Sequence, residues 1–362
     1  LYISHEDGSN WNNFQLNLPV TPINDLYIQD NDLIAATSGR GFWILDDLGA
    51  IQNIKTTRQS LSIFKPKDTY LIFGGSVNRF VPGLGQNPKS GVTFDYYLNQ
   101  DIDTLTLTLD VLKNGNILRT ISSKKVHNFK SWPGGPPKPQ TLPAKEGYNR
   151  FTWDFNRNAL PGIENVFVHG SHVGGSVAPG NYTLRLTLGK VTAETEVTIL
   201  KDPTVNATAA AYNEQQVMID QIEAAIREIH ESVNSMRSAK TQLQDYAKLL
   251  KDNEEANSLL KTGEVLIKKI NAWERQLIQP DQKTFQDVIN FNNKLSSQLM
   301  HLKGYIEAVD PAITAGAKER LSDLISTWNV YQNERDDLMN KDMTSFNAQF
   351  SELNLPAIII KD

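Results

Sequence analysis

The periodicity of apolar residues changes at Asp202-Pro203, and this change constrains the fold more than any other feature of the chain. Before it, short alternating apolar segments are separated by Gly, Asn and Asp, the pattern of β-strands joined by turns. After it, apolar residues recur every three or four positions, the spacing of amphipathic helices. The sequence therefore predicts a multidomain protein, β-structure followed by an all-α part, and its 362 residues suffice for two or three domains.

Residues 65–202 carry the clearest strand signals. One segment alternates between polar residues and the apolar Leu105, Leu107, Leu109 and Val111. The Asn114-Gly115 turn follows, and a second apolar segment returns at residues 117–121, which together form the strongest hairpin signal in the chain. We predict one immunoglobulin-like β-sandwich with an inserted loop over residues 65–202.

Four amphipathic stretches follow within residues 203–355. The first has the 4-3-4-3 spacing of a coiled-coil-like seam, at Ile222, Ile226, Ile229, Val233 and Met236. Three further stretches repeat the pattern after short breaks, and the second of these runs over residues 285–309. Residues 203–355 are therefore predicted to form an antiparallel four-helix bundle. Pro356 then precedes an apolar, β-branched tail, so residues 356–362 are predicted to add an edge strand to the β part.

Residues 1–64 predict a small all-β unit followed by a connector. Four short strands with turns between them fit into about 45 residues, which is the size of one propeller blade. The last of these strands, residues 42–45, is entered through Gly39 and Gly41 and is followed by Asp46-Asp47. One blade cannot close a ring, so its sheet faces need neighbours.

Two motifs in this unit resemble a known family. The run Ser4-x-Glu6-x-Gly8-x-Asn10-Trp11 is similar to the Asp-box, Ser-x-Asp-x-Gly-x-Thr-Trp, with Glu6 and Asn10 departing from it. The run Ala-Thr-Ser-Gly-Arg-Gly-Phe-Trp-Ile-Leu-Asp-Asp, ending at Asp47, resembles the final blade of large bacterial sortilin-like or BNR-repeat glycosyl hydrolases. Gly-x-Asn-x-x-x-Trp-Asp and Ala-Pro-Gly-x-Tyr-Thr, within residues 147–183, resemble the immunoglobulin-like module of the flagellar hook-capping protein.

The resemblance implies a terminal propeller blade whose other blades lie upstream of Leu1 in the same protein. It also implies an exported protein, periplasmic, secreted or on the cell surface. In that family the Asp-box is structural, so the turn formed by Ser4, Glu6, Gly8 and Trp11 carries no catalytic role. Because Leu1 is not an initiator methionine, we expect the protein to continue upstream of it.

Composition excludes several functions. The net charge is −5, with 36 basic and 41 acidic residues and no basic stripe, so no nucleic-acid partner is predicted. Absence of cysteine excludes disulfides, thiolate metal sites and cysteine nucleophiles. No apolar run approaches the roughly 18 residues that a membrane span needs. No cofactor is predicted.

Three aromatic and cationic residues are candidates for ligand contact. Arg40 lies between two glycines and either points into a propeller channel or belongs to a hydrogen-bonded turn, and the turn is favoured. Trp132 and Tyr96 are candidates for stacking on a sugar ring if they share an open sheet face. Alternation instead predicts that Trp153 lies in the core.

No catalytic set emerges from the sequence. His169 and His172 are three residues apart in a Gly-rich segment without an evident third ligand, so a surface loop is predicted and no metal site. Acidic pairs lie where turns place them, and no serine or phosphate-loop motif occurs. Convergence of Asp154 with His172 across the sandwich is the one catalytic arrangement left open.

The favoured function is that of a non-catalytic structural and interaction segment of an exported propeller protein, contacting a protein partner or a glycan. The alternative is the supporting C-terminal portion of a sialidase-like glycosyl hydrolase whose active site lies upstream of Leu1. A sortilin-like peptide-binding propeller is a third reading. Repeated Asp-boxes before Leu1 support any propeller, and convergent acids with arginines there favour the enzyme.

Overall fold

The computed structural model describes residues 1–53, 60–72, 87–102, 104–308 and 310–354. Strands and one short helix occupy the chain as far as Lys201, and helices follow from Ala209. The predicted class, β-structure followed by α-structure, is thereby confirmed. The predicted strand within residues 356–362, most of the predicted loop at residues 74–87, and part of the connector at residues 54–59 lie outside the described residues.

The N-terminal unit consists of a hairpin and a three-stranded antiparallel sheet. The hairpin pairs β1 (Tyr2–Ile3) with β2 (Asn12–Asn13). The sheet runs in the order of the chain and comprises β3 (Ile23–Gln29), β4 (Asp32–Thr37) and β5 (Phe42–Leu45). It is open at both edges within the described residues, and a single-turn helix, α1 (Gly49–Gln52), follows it.

Two sheets then pack on a common core and form what we call the two-sheet module. The five-stranded sheet has the order β10-β9-β12-β13-β7, and the three-stranded sheet has the order β11-β8-β6. Only the pairing of β7 with β13 is parallel among the described ladders. The strands are β6 (Leu61–Ile63), β7 (Thr69–Leu71), β8 (Val92–Leu98), β9 (Leu107–Lys113), β10 (Asn116–Ser122), β11 (Gly147–Trp153), β12 (Gly180–Leu188) and β13 (Val191–Lys201).

Side-chain alternation explains why these segments form packed strands. Alternate residues of β8 are buried, at Val92, Phe94, Tyr96 and Leu98, and they face the apolar side chains of the other sheet. The predicted β9–β10 hairpin is confirmed, and Asn114 and Gly115 at its tip have positive φ angles of 50° and 80°. A type I′ turn requires such angles at both positions, and Asn-Gly adopts them readily.

The helical part has one continuous apolar core. The long first helix begins after Thr208, whose hydroxyl caps it by accepting a hydrogen bond from the amide of Ala211. The predicted seam, including Ile226 at 0% exposure, is buried. The helices are α2 (Ala209–Leu249), α3 (Asn257–Leu277), α4 (Leu295–Ile306), α5 (Ala315–Asp337) and α6 (Thr344–Glu352), and a π-helical segment, Leu338–Met343, joins the last two.

The prediction of one helix over residues 285–309 is wrong for residues 285–294, which precede α4. Phe285–Ile289 is a 3-10 turn with Phe285 exposed, and α4 begins only at Leu295. The intervening Asn290, Asn292 and Asn293 disfavour a continuous helix, because asparagine side chains compete for backbone hydrogen bonds.

One loop of the two-sheet module belongs to the helical core. Residues 154–179, which connect β11 to β12 and are called the junction loop below, bring four apolar side chains into the cluster formed by the helices: Leu160, Ile163, Val166 and Val168. The two parts of the molecule are therefore joined by shared packing and not by the linker at residues 202–208 alone.

Candidate functional site

The most polar buried region of the described structure lies where the junction loop meets α2 and α4. The loop approaches the helices closely at its glycines. A Cβ on Gly175 would lie 2.6 Å from the Ile219 side chain, and one on Gly170 would lie 2.4 Å from the Cβ of Met300. Glycine at these positions therefore allows the contact between loop and helices to form.

An ion network ties the loop backbone to the helices. The Lys303 ammonium, with 2% of the residue exposed, donates to Glu307 and to the Val173 carbonyl, each at 2.9 Å. Glu223 accepts from the Gly175 amide at 2.5 Å and lies 3.8 Å from Lys303. Burial raises the pKa of the Glu223 carboxyl, and the Gly175 amide and nearby cations oppose that rise.

Arg157 adds a second cation to this network from the loop side. Its guanidinium donates to Asp220 and Gln216 of α2 and lies 3.8 Å from Glu223. Its Nε is buried and has no hydrogen-bond partner among the described residues. Two cations thus face three carboxylates across the junction, so that each buried charge lies near an opposite one.

Two histidines are also buried at this junction. His230 of α2 is fully buried, with Nδ1 2.6 Å from the Pro161 carbonyl and Nε2 2.6 Å from the Ser296 hydroxyl. The two ring nitrogens of His172 face the carbonyls of Pro161 and Gly134 at 3.2 and 3.1 Å. Burial lowers the pKa of His172, and it lowers the pKa of His230 to about 4.

Ser296 and His230 therefore form a serine–histidine pair of the kind that nucleophilic enzymes use. Both residues are fully buried in the core, so no substrate carbonyl reaches the hydroxyl. A histidine with a pKa of about 4 is also a weak general base at neutral pH. The pair is accordingly interpreted as a satisfied core hydrogen bond.

His169 and His301 form a second imidazole pair at the surface of the junction. Nδ1 of His169 contacts Nε2 of His301 more closely than in an ordinary hydrogen bond, and the ring centroids are 4.5 Å apart. Desolvation and the neighbouring His301 lower the pKa of His169. No sequence pattern connects these two residues, because 132 positions separate them.

The prediction that His169 and His172 lie together in a surface loop is wrong for His172, which is buried. Its nitrogens are directed at two carbonyls, so they do not pair with Asp154. Asp154 instead lies 3.5 Å from the Arg119 guanidinium. The catalytic arrangement left open by the sequence is therefore absent from this structure's described residues.

The Asp-box-like segment forms a tight turn between β1 and β2. The Ser4 hydroxyl accepts from the amides of Gly8 at 2.8 Å and Glu6 at 3.3 Å. Gly8 has a φ of 89°. The Trp11 ring packs beside it, since a Cβ on Gly8 would lie 3.7 Å from that ring. Trp11 and Glu6 remain exposed.

Arg40 lies at the tip of the β4–β5 turn. Gly39 and Gly41 on either side have φ angles of 79° and 71°. The Thr37 hydroxyl accepts from the Arg40 amide at 3.1 Å and donates to the Gly41 carbonyl at 2.6 Å. The Arg40 backbone thus belongs to a hydrogen-bonded turn, and its side chain is exposed.

Tyr96 and Trp132 do not form a shared stacking platform. Tyr96 is 0% exposed inside the two-sheet core, and its hydroxyl donates to the Pro143 carbonyl, so the prediction of a sugar contact is wrong for this residue. Trp132 is half-buried over Gly135 and Gly162 and donates from Nε1 to the Val166 carbonyl at 2.9 Å. Trp153 is buried, as alternation predicts.

Comparison with known proteins assigns no family. No protein-family profile matches the chain, and no curated protein sequence matches it. Within the described ranges, no group of three or more His, Asp or Glu side chains is arranged to hold a metal ion. In the same part of the chain, no helix is both long and apolar enough to cross a membrane.

Proposed function

We propose that this chain is a non-catalytic structural and interaction segment of a longer, exported propeller protein. In this proposal residues 1–64 supply the closing blade and its connector, and residues 65–202 supply an immunoglobulin-like sandwich. Residues 203–355 supply an antiparallel four-helix bundle. The other blades are the first partner of the segment, and a protein or glycan is the second.

One observation carries the proposal: the β3–β5 sheet is apolar on both faces, and each face has large apolar side chains that are exposed. Cross-strand pairing places Tyr27, Ile34 and Ile44 on one face and Leu26, Ala35 and Trp43 on the other. Phe42, Ile44 and Tyr27 are 77%, 60% and 60% exposed, and Leu26 and Ile28 on the opposite face are 49% and 58% exposed.

An antiparallel sheet that covers only one core normally has one polar face. Apolar residues on both faces favour a sheet stacked between two others, as a blade is in a propeller. Exposed apolar patches of this kind mark interaction surfaces. The Ser4-centred turn and the short β4–β5 turn at Arg40 are consistent with the same interpretation.

The sheet is held firmly to the rest of the chain. Asp32 pairs with Lys67, and the Leu48 amide donates to the Asn31 carbonyl at 2.9 Å. Arg150 of β11 donates to the Asp46 carbonyl at 3.1 Å. These contacts suit a segment that fixes the orientation of a propeller relative to the modules after it.

The double substitution Phe42→Ser with Ile44→Ser tests the proposed surface. We expect the 362-residue chain to self-associate with rising concentration and to bind an environment-sensitive apolar dye, because both sheet faces lack a cover. The double variant, which changes one of the two faces, should lose part of both signals without unfolding. Ile117→Ser, on the exposed edge strand β10, is the matched control and should change neither.

Two results contradict the proposal. One is a double variant that behaves like the parent chain in both measurements. The other is an encoding gene that contains no blade-forming repeats before Leu1.

A further inference from the structure

We propose that His169 and His301 form a two-histidine site for a first-row transition-metal dication, Cu²⁺, Zn²⁺ or Ni²⁺, at the surface of the junction. The site joins the junction loop to α4. It is independent of the proposed propeller function and stands or fails separately from it.

The rings of the two histidines contact each other directly. Nδ1 of His169 and Nε2 of His301 are the atoms that meet, and the ring planes differ by only 23°. With centroids 4.5 Å apart, this nitrogen–nitrogen contact places the rings edge to edge and nearly coplanar, not face to face. An N–H of one ring donating to the other satisfies this contact, and a metal ion that replaces that proton can be bound by both nitrogens.

The backbone around the two histidines holds their rings in contact. Each histidine is adjacent in sequence to one member of a close contact between loop and helix, Gly170 with Met300. Gly170 has a φ of 144°, and a Cβ there would lie 2.4 Å from that of Met300, so glycine permits the approach. Lys303, less than one turn after His301, holds the loop again through the Val173 carbonyl.

Two phenylalanine rings and a pocket lie next to the histidine pair. The Phe285 ring lies 4.9 Å from the His169 ring and the Phe167 ring lies 6.4 Å from it, so an apolar flank limits ring rotation. A pocket of about 350 Å³ opens beside His301 and is lined also by Tyr305 and Arg320. Water or a ligand oxygen in this pocket can complete the coordination of the ion.

Coordination requires only a small movement of the rings. Metal–nitrogen bonds of about 2.0–2.1 Å in tetrahedral geometry place the two nitrogens about 3.3 Å apart. The rings must therefore part by about 1 Å from their present contact, and the exposed side chain of His301 is free to make this adjustment. Imidazole is a good ligand for zinc, copper and nickel, and poor for magnesium and calcium.

Calorimetric titration of the 362-residue chain with Zn²⁺ and with Cu²⁺ tests the site. We expect one ion per chain and a melting temperature that rises with metal concentration, because the ion binds only the folded junction. His169→Ala and His301→Ala should each weaken binding by roughly tenfold or more. His127→Ala removes an exposed histidine elsewhere and should leave binding unchanged.

Electron paramagnetic resonance of the Cu²⁺ complex separates this site from unspecific binding. Two nitrogen ligands are expected in the parent chain and one or none in either alanine variant. If an alanine variant fails to fold, His301→Gln preserves side-chain size and replaces it. No binding by the parent chain, Mg²⁺ competing as well as Zn²⁺, or binding by either histidine variant that is as tight as that of the parent chain would overturn the proposal.

Discussion

Lys303→Met removes the one buried cation of α4 and leaves its carboxylate partners in place. Methionine keeps the apolar stem, so the change isolates the ammonium group. Lys303 is 2% exposed and donates two hydrogen bonds of 2.9 Å, to Glu307 and Val173, with Glu223 at 3.8 Å. Loss of one partner from a buried ion pair costs about 3–5 kcal/mol. Because about a fifth of the Glu307 side chain reaches solvent, we expect the lower end, about 3 kcal/mol.

Equilibrium urea unfolding followed by far-ultraviolet circular dichroism measures this cost. Lys269→Met is the matched control, since Lys269 pairs with Asp342 at 2.8 Å but half of its side chain is exposed, and such pairs contribute about 0–1 kcal/mol. Adding Glu307→Gln to Lys303→Met should recover at least about 1 kcal/mol, because the stranded carboxylate is removed. Equal destabilisation by the two lysine variants would refute the assignment of a buried network.

Three further outcomes are expected. The free energy of unfolding should fall as the pH drops from about 6.5 to about 4. In this window His230 of the unfolded chain takes up a proton, whereas the folded residue, with a pKa of about 4, does not. His230→Gln should reduce the slope of this pH dependence by up to about 1.4 kcal/mol per pH unit, and an unchanged slope would contradict this expectation. Ile226→Asp should destabilise the helices by roughly 3 kcal/mol or more, as a charge enters the buried seam, whereas an unchanged melting temperature would mean that the seam is misplaced. The chain alone should hydrolyse no chromogenic glycoside or ester, and turnover that Ser296→Ala or His172→Ala abolishes would contradict the non-catalytic assignment.

Much of the fold could be predicted from local sequence patterns. The Asn114-Gly115 turn and the alternating segments beside it specify their hairpin without help from distant residues. The seam around Ile226 identifies the buried side of α2 because helical spacing alone places those residues on one face. The same alternation that placed Trp153 in the core applies to residues 92–98 and contained the signal that Tyr96 is buried.

The junction could not be read from the sequence, because its parts are distant in the chain. Lys303 and Glu307 have the spacing of an ordinary surface pair, and only the docked loop makes Lys303 buried. His169 and His301 become neighbours solely through that docking. The apolar residues of the loop, such as Ile163 and Val166, were the available signal that a Gly-rich segment is packed and not solvated.

The proposed function requires that both faces of the β3–β5 sheet are covered by neighbouring blades in a longer propeller protein. Carbene footprinting of Tyr27, Phe42 and Leu26 compares the 362-residue chain with the full product of its encoding gene, which the proposal expects to continue upstream of Leu1. We expect strong labelling of these three residues in the 362-residue chain, where each is about half exposed or more, and protection of both faces in the longer protein. Equal labelling in the two proteins, or protection of one face only, would contradict it.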